Sequence, residues 1–446
     1  MQTARQHLGR YRRGRPARAS SLYSLLCFAC LAVLGSVGNA RAAVTYYAAK
    51  TGCSNTGPGS KAYPFCSAAK GASLLKAGDT LIIGAGTYAE RLVVSEVPGT
   101  ATAPVTIKAA PGAVVVFDGS RVPVDDAGLI HVEFSSYVTL TGLTARLSRY
   151  YGINVSGSSN VTLSAMKVDT SQHGGIVVDQ GSAYVVVTGC DVNRADSCGS
   201  GCGVHEGLTV SESNSVTVAN NRIHDGTMEG IDVKDGSKGA DVYGNTVYNN
   251  GAVGIYLNHT TGSRFYRNRV YNNGASGFQL TVGDGAMGAA LTTGNKIYLN
   301  VVTGNRFCGV EFWPAGAGSL SGNAIYNNVF YANKQYALEF SDQSSMVKAT
   351  LVRNNISMAN PLGGFTGKAA AVNTISNNLF SGSAPAGQAA VVGDAKFVNA
   401  TAGDFRLQAG SPAIDKGYDM GLPRLGAPDI GAIEYGLVGA PPIAGR

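Results

Sequence analysis

Apolar and polar positions alternate along this chain in short runs, and the runs recur. Ten stretches repeat an aliphatic run, a step that is often Asn, and another apolar residue, at spacings of 23 to 32 residues. Aligned on the step they read Leu143, Met166, Cys190, Asn221, Asn245, Asn268, Asn300, Asn328, Asn354 and Asn377, as in "NNRIHDG", "GNTVYNNG" and "RNRVYNNG". Self-similarity at this period is the signature of a solenoid. About 23 residues hold three short strands and three turns, which predicts an all-β, single-stranded right-handed parallel β-helix of ten or more coils. Inward Asn at equivalent turns can stack, each amide bonding those above and below. Asn221, Asn245, Asn268, Asn300, Asn328 and Asn354 are therefore expected to be scaffold.

A second strand in each coil starts at a Gly-like position: "GINVS", "GIVVD", "GLTVS", "GIDVK", "GIYLN", "GFQLT", "GVEFW", "ALEFS". Side chains alternate on a strand, so positions two and four after the Gly face outward. One column is Asn154, Val177, Thr209, Asp232, Tyr256, Gln279, Glu311 and Glu339. Beside it run Ser156, Asp179, Ser211, Lys234, Asn258, Thr281, Trp313 and Ser341. A linear polymer is expected to lie along this face, with Asp179, His205, Asn258, Gln279, Glu311 and Trp313 as substrate contacts.

Ionisable residues converge in the middle of the face. Glu206 and Glu229 hold equivalent places just before the Gly, Asp232 and Lys234 project beyond them, and His205, Tyr256 and His259 flank the group. Only 14% of the chain is charged, which makes the concentration informative. Glu206, Glu229 and Asp232 offer the oxygen donors that Ca2+ prefers. A solvated salt-bridge patch is the competing reading. Asp235 and Lys238 are expected to shape a turn.

The first 42 residues contain seven Arg, no acid, the apolar run "LYSLLCFACLAVL" and Ala40-Arg41-Ala42, the pattern of a secretory signal peptide. A lipoprotein reading through Cys30 lacks suitable flanking residues. The chain has 35 Lys and Arg against 28 Asp and Glu; losing seven Arg leaves a balance near zero. No basic field remains to draw nucleic acid, and no later run is long enough to span a membrane. Export, and a monomer, are expected. Two disulfides fit an oxidising compartment, Cys53 with Cys66 and Cys198 with Cys202, with Cys190 and Cys308 as buried thiols. The expected divisions are 1–42 signal, 43–120 N-terminal cap and first coils, 121–393 β-helix, and 394–446 closing segment and tail. A helix-compatible stretch, "SAAKGASLLKAG", is expected to cap the first coil.

The segments from "YYAAKTGCSNTGPGSKAYPFC" to "TAPVTIKAAPGAVVVFDGS", and "DAKFVNATAGDFRLQAGSPAIDKG" with "PDIGAIEY", resemble the two ends of secreted bacterial β-helix proteins of the pectin-lyase-like group, polysaccharide lyases among them. "EGIDVKDG" is similar to two signatures. In the chondroitinase B and alginate lyase family a metal-binding Glu stands five residues before a Lys base, as Glu229 stands to Lys234; Asn258 and His259 lie where that family has an Arg. In mannuronan epimerases the matching position is Asp232. The resemblance implies β-elimination on an acidic polysaccharide, with Lys234 as base, Glu206, Glu229 and Asp232 as Ca2+ or carboxylate ligands, and Tyr256 or His259 as proton donor. A glycoside hydrolase or epimerase, with Glu206 and Glu229 as a carboxyl pair, and a non-catalytic carbohydrate-binding protein are the alternatives.

Overall fold

A computed structural model describes residues 41–198, 206–283, 290–343, 345–384 and 387–437. The chain coils about 11 times as a right-handed parallel β-solenoid with almost no helix. Each coil contributes a strand to each of three sheets. The first has 13 strands and starts at Thr45–Ala48, the second has 11 and includes Leu92–Ser95, and the third has 13 and starts at Gly86–Tyr88.

The alternation explains the core. Val187, Val218, Val242, Phe265, Ile297, Ile325 and Val352 are successive register partners in the first sheet, and all are 0–1% exposed. Each such burial contributes about 1.5–3 kcal/mol before the entropy of ordering.

The turn polar groups are paired along the axis. Asn221, Asn245, Asn268, Asn300, Asn328, Asn355 and Asn378 form one ladder, each Nδ2 donating to the next Oδ1 at 2.9–3.1 Å. Each of these Oδ1 atoms also accepts the preceding Asn's backbone N–H, at 2.9–3.1 Å. The last two steps correct the expected register. Asn354 and Asn377 precede the ladder residues, take φ of +55° and +53°, and point out of the coil. They hold the C-terminal segment: Asn354 Nδ2 donates to Tyr418 O at 2.7 Å, Asn354 Oδ1 accepts Tyr418 N–H at 2.8 Å, and Asn377 Nδ2 donates to Lys416 O. In an "NN" pair the first Asn suits the left-handed turn and the second the ladder, so aligning on the wrong member shifts the register by one. A second ladder, Asn250, Asn273, Asn305, Asn333 and Asn360, runs at another corner.

That ladder explains the Gly before the second-sheet strand. A Cβ on Gly230 would lie 2.3 Å from Val247 Cγ1 and 2.9 Å from Asn250 Nδ2, and one on Gly254 would meet Val270 and Asn273 alike.

At the N-terminal end the helix is limited to Ala68–Ala72, capped by the Ser67 hydroxyl. Five residues do not confirm the expected helical cap. The C-terminal segment packs laterally: Ala395, Phe405, Leu407, Ala413 and Ile430 cover Val301, Val329, Ile356 and Leu379 on the third sheet. Cys53 and Cys66 are bonded. Cys198 is also disulfide-bonded, but Cys202 lies outside the described residues. Cys190 and Cys308 are buried free thiols, as expected. The expected signal segment falls almost wholly outside the described residues. Among the described residues no helix is long and apolar enough to cross a membrane.

Candidate functional site

The second sheet sets the site because its register stacks the outward columns. Thr209, Asp232, Tyr256, Gln279, Glu311 and Glu339 are successive Cα partners, and Ser211 pairs with Lys234. Ile231 and Val233, on the alternate positions, are fully buried in the core.

The columns point away from the core, yet their middle is not an open platform. Thr209 is 0% exposed, Asp232 1%, Glu311 5% and Gln279 6%. The long side chains lie along the sheet and on one another. Thr209 Oγ1 donates to Glu206 Oε2 at 2.8 Å, and Lys234 Nζ reaches Glu206 Oε1 and Oε2 at 2.8 and 3.0 Å and Asp232 Oδ2 at 3.1 Å. Further along, Ser276 Oγ and Gln279 Nε2 both donate to Glu311 Oε2.

Charge and burial conflict at this cluster. Burial pushes the Asp232 carboxyl well above its usual range against the pull of Lys234, and the charges of Glu206 and Glu229 add to the rise. Burial, with Glu206 beside it, raises Glu229 to about 7. Asp196 rises to about 7 for the same two reasons. Burial alone would lower the Lys234 ammonium; Glu206 and Asp232 outweigh it and hold the group well above the ordinary lysine range. Four carboxyls thus share one ammonium, and not all four ionise together. Asp232 Oδ1 is buried with no hydrogen-bond partner.

Tyr256 follows Asp232 in register, and burial and the charges of Asp232 and Glu229 raise its phenol well above the ordinary range. It stays a proton carrier. His259 is elsewhere: it occupies a left-handed turn position (φ +53°), its carbonyl accepts Gly236 N–H, and its charged neighbour is Asp235. Asp179 sits earlier on the face, where Asn154 Nδ2 donates to it at 3.2 Å, and burial raises its carboxyl. Asn258 Oδ1 accepts Gly283 N–H at the following loop. His205 lies outside the described residues.

Two contributors were not among the candidates. Thr209 was visible in the outward column, but a neutral residue there carries no chemical signal. Asp196 precedes the insertion between coils, where no repeat gives a register.

Glu206, Glu229 and Asp232 are oxygen donors of the type Ca2+ takes, and the unpartnered Asp232 Oδ1 is one such donor facing no proton. They are not assembled for it. Among the described residues no three His, Cys, Asp or Glu side chains converge to hold a metal, and the Lys234 ammonium lies between Glu206 and Asp232.

A chain that coils through three parallel sheets in this way is a right-handed parallel β-helix, and its second sheet carries a buried carboxylate cluster around one lysine. Residues 151–325 match the family described as right handed beta helix region, and residues 46–209 the Pel9A-like, right handed beta helix region. Each match covers less than half of the chain, and both describe the same right-handed β-helix. Among solved structures, pectate lyase Pel9A is similar at 21% identity and a TM-score of 0.59, over 88% of this chain and 96% of that one. A rhamnogalacturonan lyase is similar at 16% identity and a TM-score of 0.53, over 80% and 90%. The alginate lyase from Paenibacillus sp. str. FPU-7 is similar at 19% and 0.50, over 64% and 95%. At these identities the likeness is one of fold. No curated protein sequence matches the chain.

Proposed function

We propose that the protein is a secreted polysaccharide lyase that cleaves a uronic-acid polymer by β-elimination at the Lys234 cluster. The observation that carries this reading is the single ammonium held at 2.8–3.1 Å by Glu206 and Asp232 on the outward side of the second sheet. The fold shared with three lyases supports it.

The reaction removes the proton on the carbon next to the uronate carboxylate, forms a carbon–carbon double bond and breaks the bond to the glycosidic oxygen, which takes up a proton. A nearby cation must offset charge on the substrate carboxylate as that proton leaves. The Lys234 ammonium, as it lies, can do this. To act as base it must first lose its proton, which requires Glu206 and Asp232 to be drawn to another partner and the amine to be desolvated by the bound sugar. Tyr256, protonated and next in register to Asp232, is the better donor to the leaving oxygen; His259 sits in a left-handed turn with both ring nitrogens buried and without a hydrogen-bond partner. Ca2+ assistance is part of the proposal only with Glu206 and Asp232 released from the Lys234 ammonium; with Glu229 they would then hold the ion, which would supply positive charge opposite the substrate carboxylate. Asp179, Asn258, Gln279, Glu311 and Trp313 would bind flanking sugars.

A second reading rests on the same contacts. A buried, closed ion pair is also what a non-catalytic carbohydrate-binding β-helix would use to fill its surface. One experiment separates them: the mature protein is incubated with alginate, pectate and glycosaminoglycans, with and without Ca2+, and ultraviolet absorbance of unsaturated uronate ends is followed. The expected result is absorbance on at least one polymer and loss of about 100-fold or more in rate for Lys234→Ala. New reducing ends without absorbance would move the protein to the hydrolases, and binding without turnover to the second reading.

A further inference from the structure

The outward face of the first sheet carries a row of phenols. Tyr243, Tyr266, Tyr298 and Tyr326 are successive register partners, and their rings stack at 4.9–5.0 Å, within 14° of parallel. The rings stand on edge, one per coil, over about 15 Å of axis. Tyr243, Tyr266 and Tyr298 are half-buried; Tyr326 is more deeply set, where its register partner Arg353 lies over the Tyr418 ring at 4.1 Å. Among the described residues no protein hydrogen bond engages the four hydroxyls, and none of them is sealed from solvent. On the third sheet the corresponding group is occupied: Tyr248 Oη accepts Arg222 Nη2 at 2.7 Å.

The charges beside the row are unbalanced. On the five strands from Asp241–Tyr243 to Leu351–Arg353 the outward positions carry Arg264, Lys296 and Arg353 against one acid, Asp241, and Arg267 adds a cation at the turn. Asp241 is taken by Arg264, whose Nε and Nη2 donate to its two oxygens at 2.5 Å. Lys296 is the register partner of Arg264, and like charges directly opposite on a sheet repel. Lys296 and Arg267 are exposed, and among the described residues neither has an ion-pair partner. A linear chain with a carboxylate on each residue answers both features. The cations offset its charge, and the phenols donate to its oxygens at a step close to the advance of one residue in an extended 1,4-linked polymer.

We propose that this face is a second, non-catalytic binding track for an acidic polysaccharide, on a different side of the coil from Lys234. The choice of a uronan as occupant rests on the lyase reading; the attraction for a linear polyanion does not.

The mature protein is run in native gels cast with pectate or alginate, or with the same polymers after reduction of their carboxyls, and its mobility is compared with that in a polymer-free gel. Retardation is expected on at least one acidic polymer, about tenfold weaker on its reduced form, and relieved by salt. Lys296→Glu with Arg267→Asn should weaken it about tenfold; both side chains are exposed and Asn suits the left-handed turn, so the fold is kept. Tyr266→Phe with Tyr298→Phe preserves the stack, removes two donors and should weaken retention about threefold. Retention that survives the charge variant, equal retention on the carboxyl-reduced polymer, or none on either acidic polymer overturns the proposal. Track-dependent retention with no unsaturated ends on any polymer sinks the lyase reading and leaves the track standing; unsaturated ends with retention indifferent to both variants do the reverse.

Discussion

The asparagine ladder and the Lys234 cluster are both buried and polar, and they handle that burial in opposite ways. In the ladder every amide in mid-column is matched: Asn268 accepts the N–H and Nδ2 of Asn245 and donates to Val242 O and Asn300 Oδ1, all at 2.9–3.1 Å. In the cluster, Asp196, Glu229 and Asp232 are pushed up by burial, and Asp232 Oδ1 has no partner. Matched neutral groups offset their own desolvation. Crowded carboxyls do not, so the ladder is kept for stability and the cluster at its expense, as sites for chemistry often are.

The largest effect should come from removing the one cation. Lys234→Met leaves Glu206 and Asp232 buried without their partner, and breaking such a pair costs about 3–5 kcal/mol. The loss should be greatest at pH 8 and smaller at pH 5, where the carboxyls take up protons. Denaturant unfolding at the two pH values measures it; an equal loss at both would mean that the cluster is not charged as described.

Asn268→Ala should cost about 3 kcal/mol by the same measurement, because it strands the Asn245 donors and the Val242 carbonyl in the interior. The discriminating feature is the absence of pH dependence. Rate per folded molecule should stay at the wild-type value, since the ladder touches no outward column.

Glu229→Gln sharpens the contrast in the other direction. Its folded pKa, about 7, lies above the unfolded value near 4.5, so the folded state binds the extra proton. That contribution is full below about pH 4.5 and is lost as pH rises to about 7. The neutral amide has no proton to lose. The variant should gain on wild type by about 2–3 kcal/mol between pH 5 and pH 8, and parallel stability curves would place Glu229 outside the coupled group.

How much of this was legible depended on periodicity. The coil, its three strands and the outward columns from Asn154 to Glu339 follow from alternation and Gly punctuation, and the register of the second sheet agrees residue by residue. Convergence of Glu206, Asp232 and Lys234 followed from the same register. Three features did not. Asp196 lies beside an insertion, where the repeat is broken. Exposure was misjudged because outward direction fixes where Asp232 and Gln279 point, whereas burial depends on how long neighbours such as Glu206 and Lys234 lie down. The last ladder steps were displaced because "NN" offers two Asn for one inward place.

The smallest effect tests that displacement directly. Asn377 and Asn378 are adjacent and chemically identical, yet only Asn378 is inside the ladder, where it accepts Asn355 N–H and Nδ2 at 2.9 and 3.0 Å and donates to Val352 O and Ser376 O. Asn377 sits at φ +53° with one side-chain bond, to Lys416 O at 3.2 Å. Gly keeps the left-handed backbone unstrained, so Asn377→Gly removes only that partly solvated bond and should cost about 0.5 kcal/mol or less. Asn378→Ala strands two buried donors of Asn355 and should cost about 2–3 kcal/mol. Equal losses would show that the ladder ends before Asn378, and a larger loss for Asn377→Gly would make the C-terminal clamp, rather than the ladder, the stronger hold on the last coils.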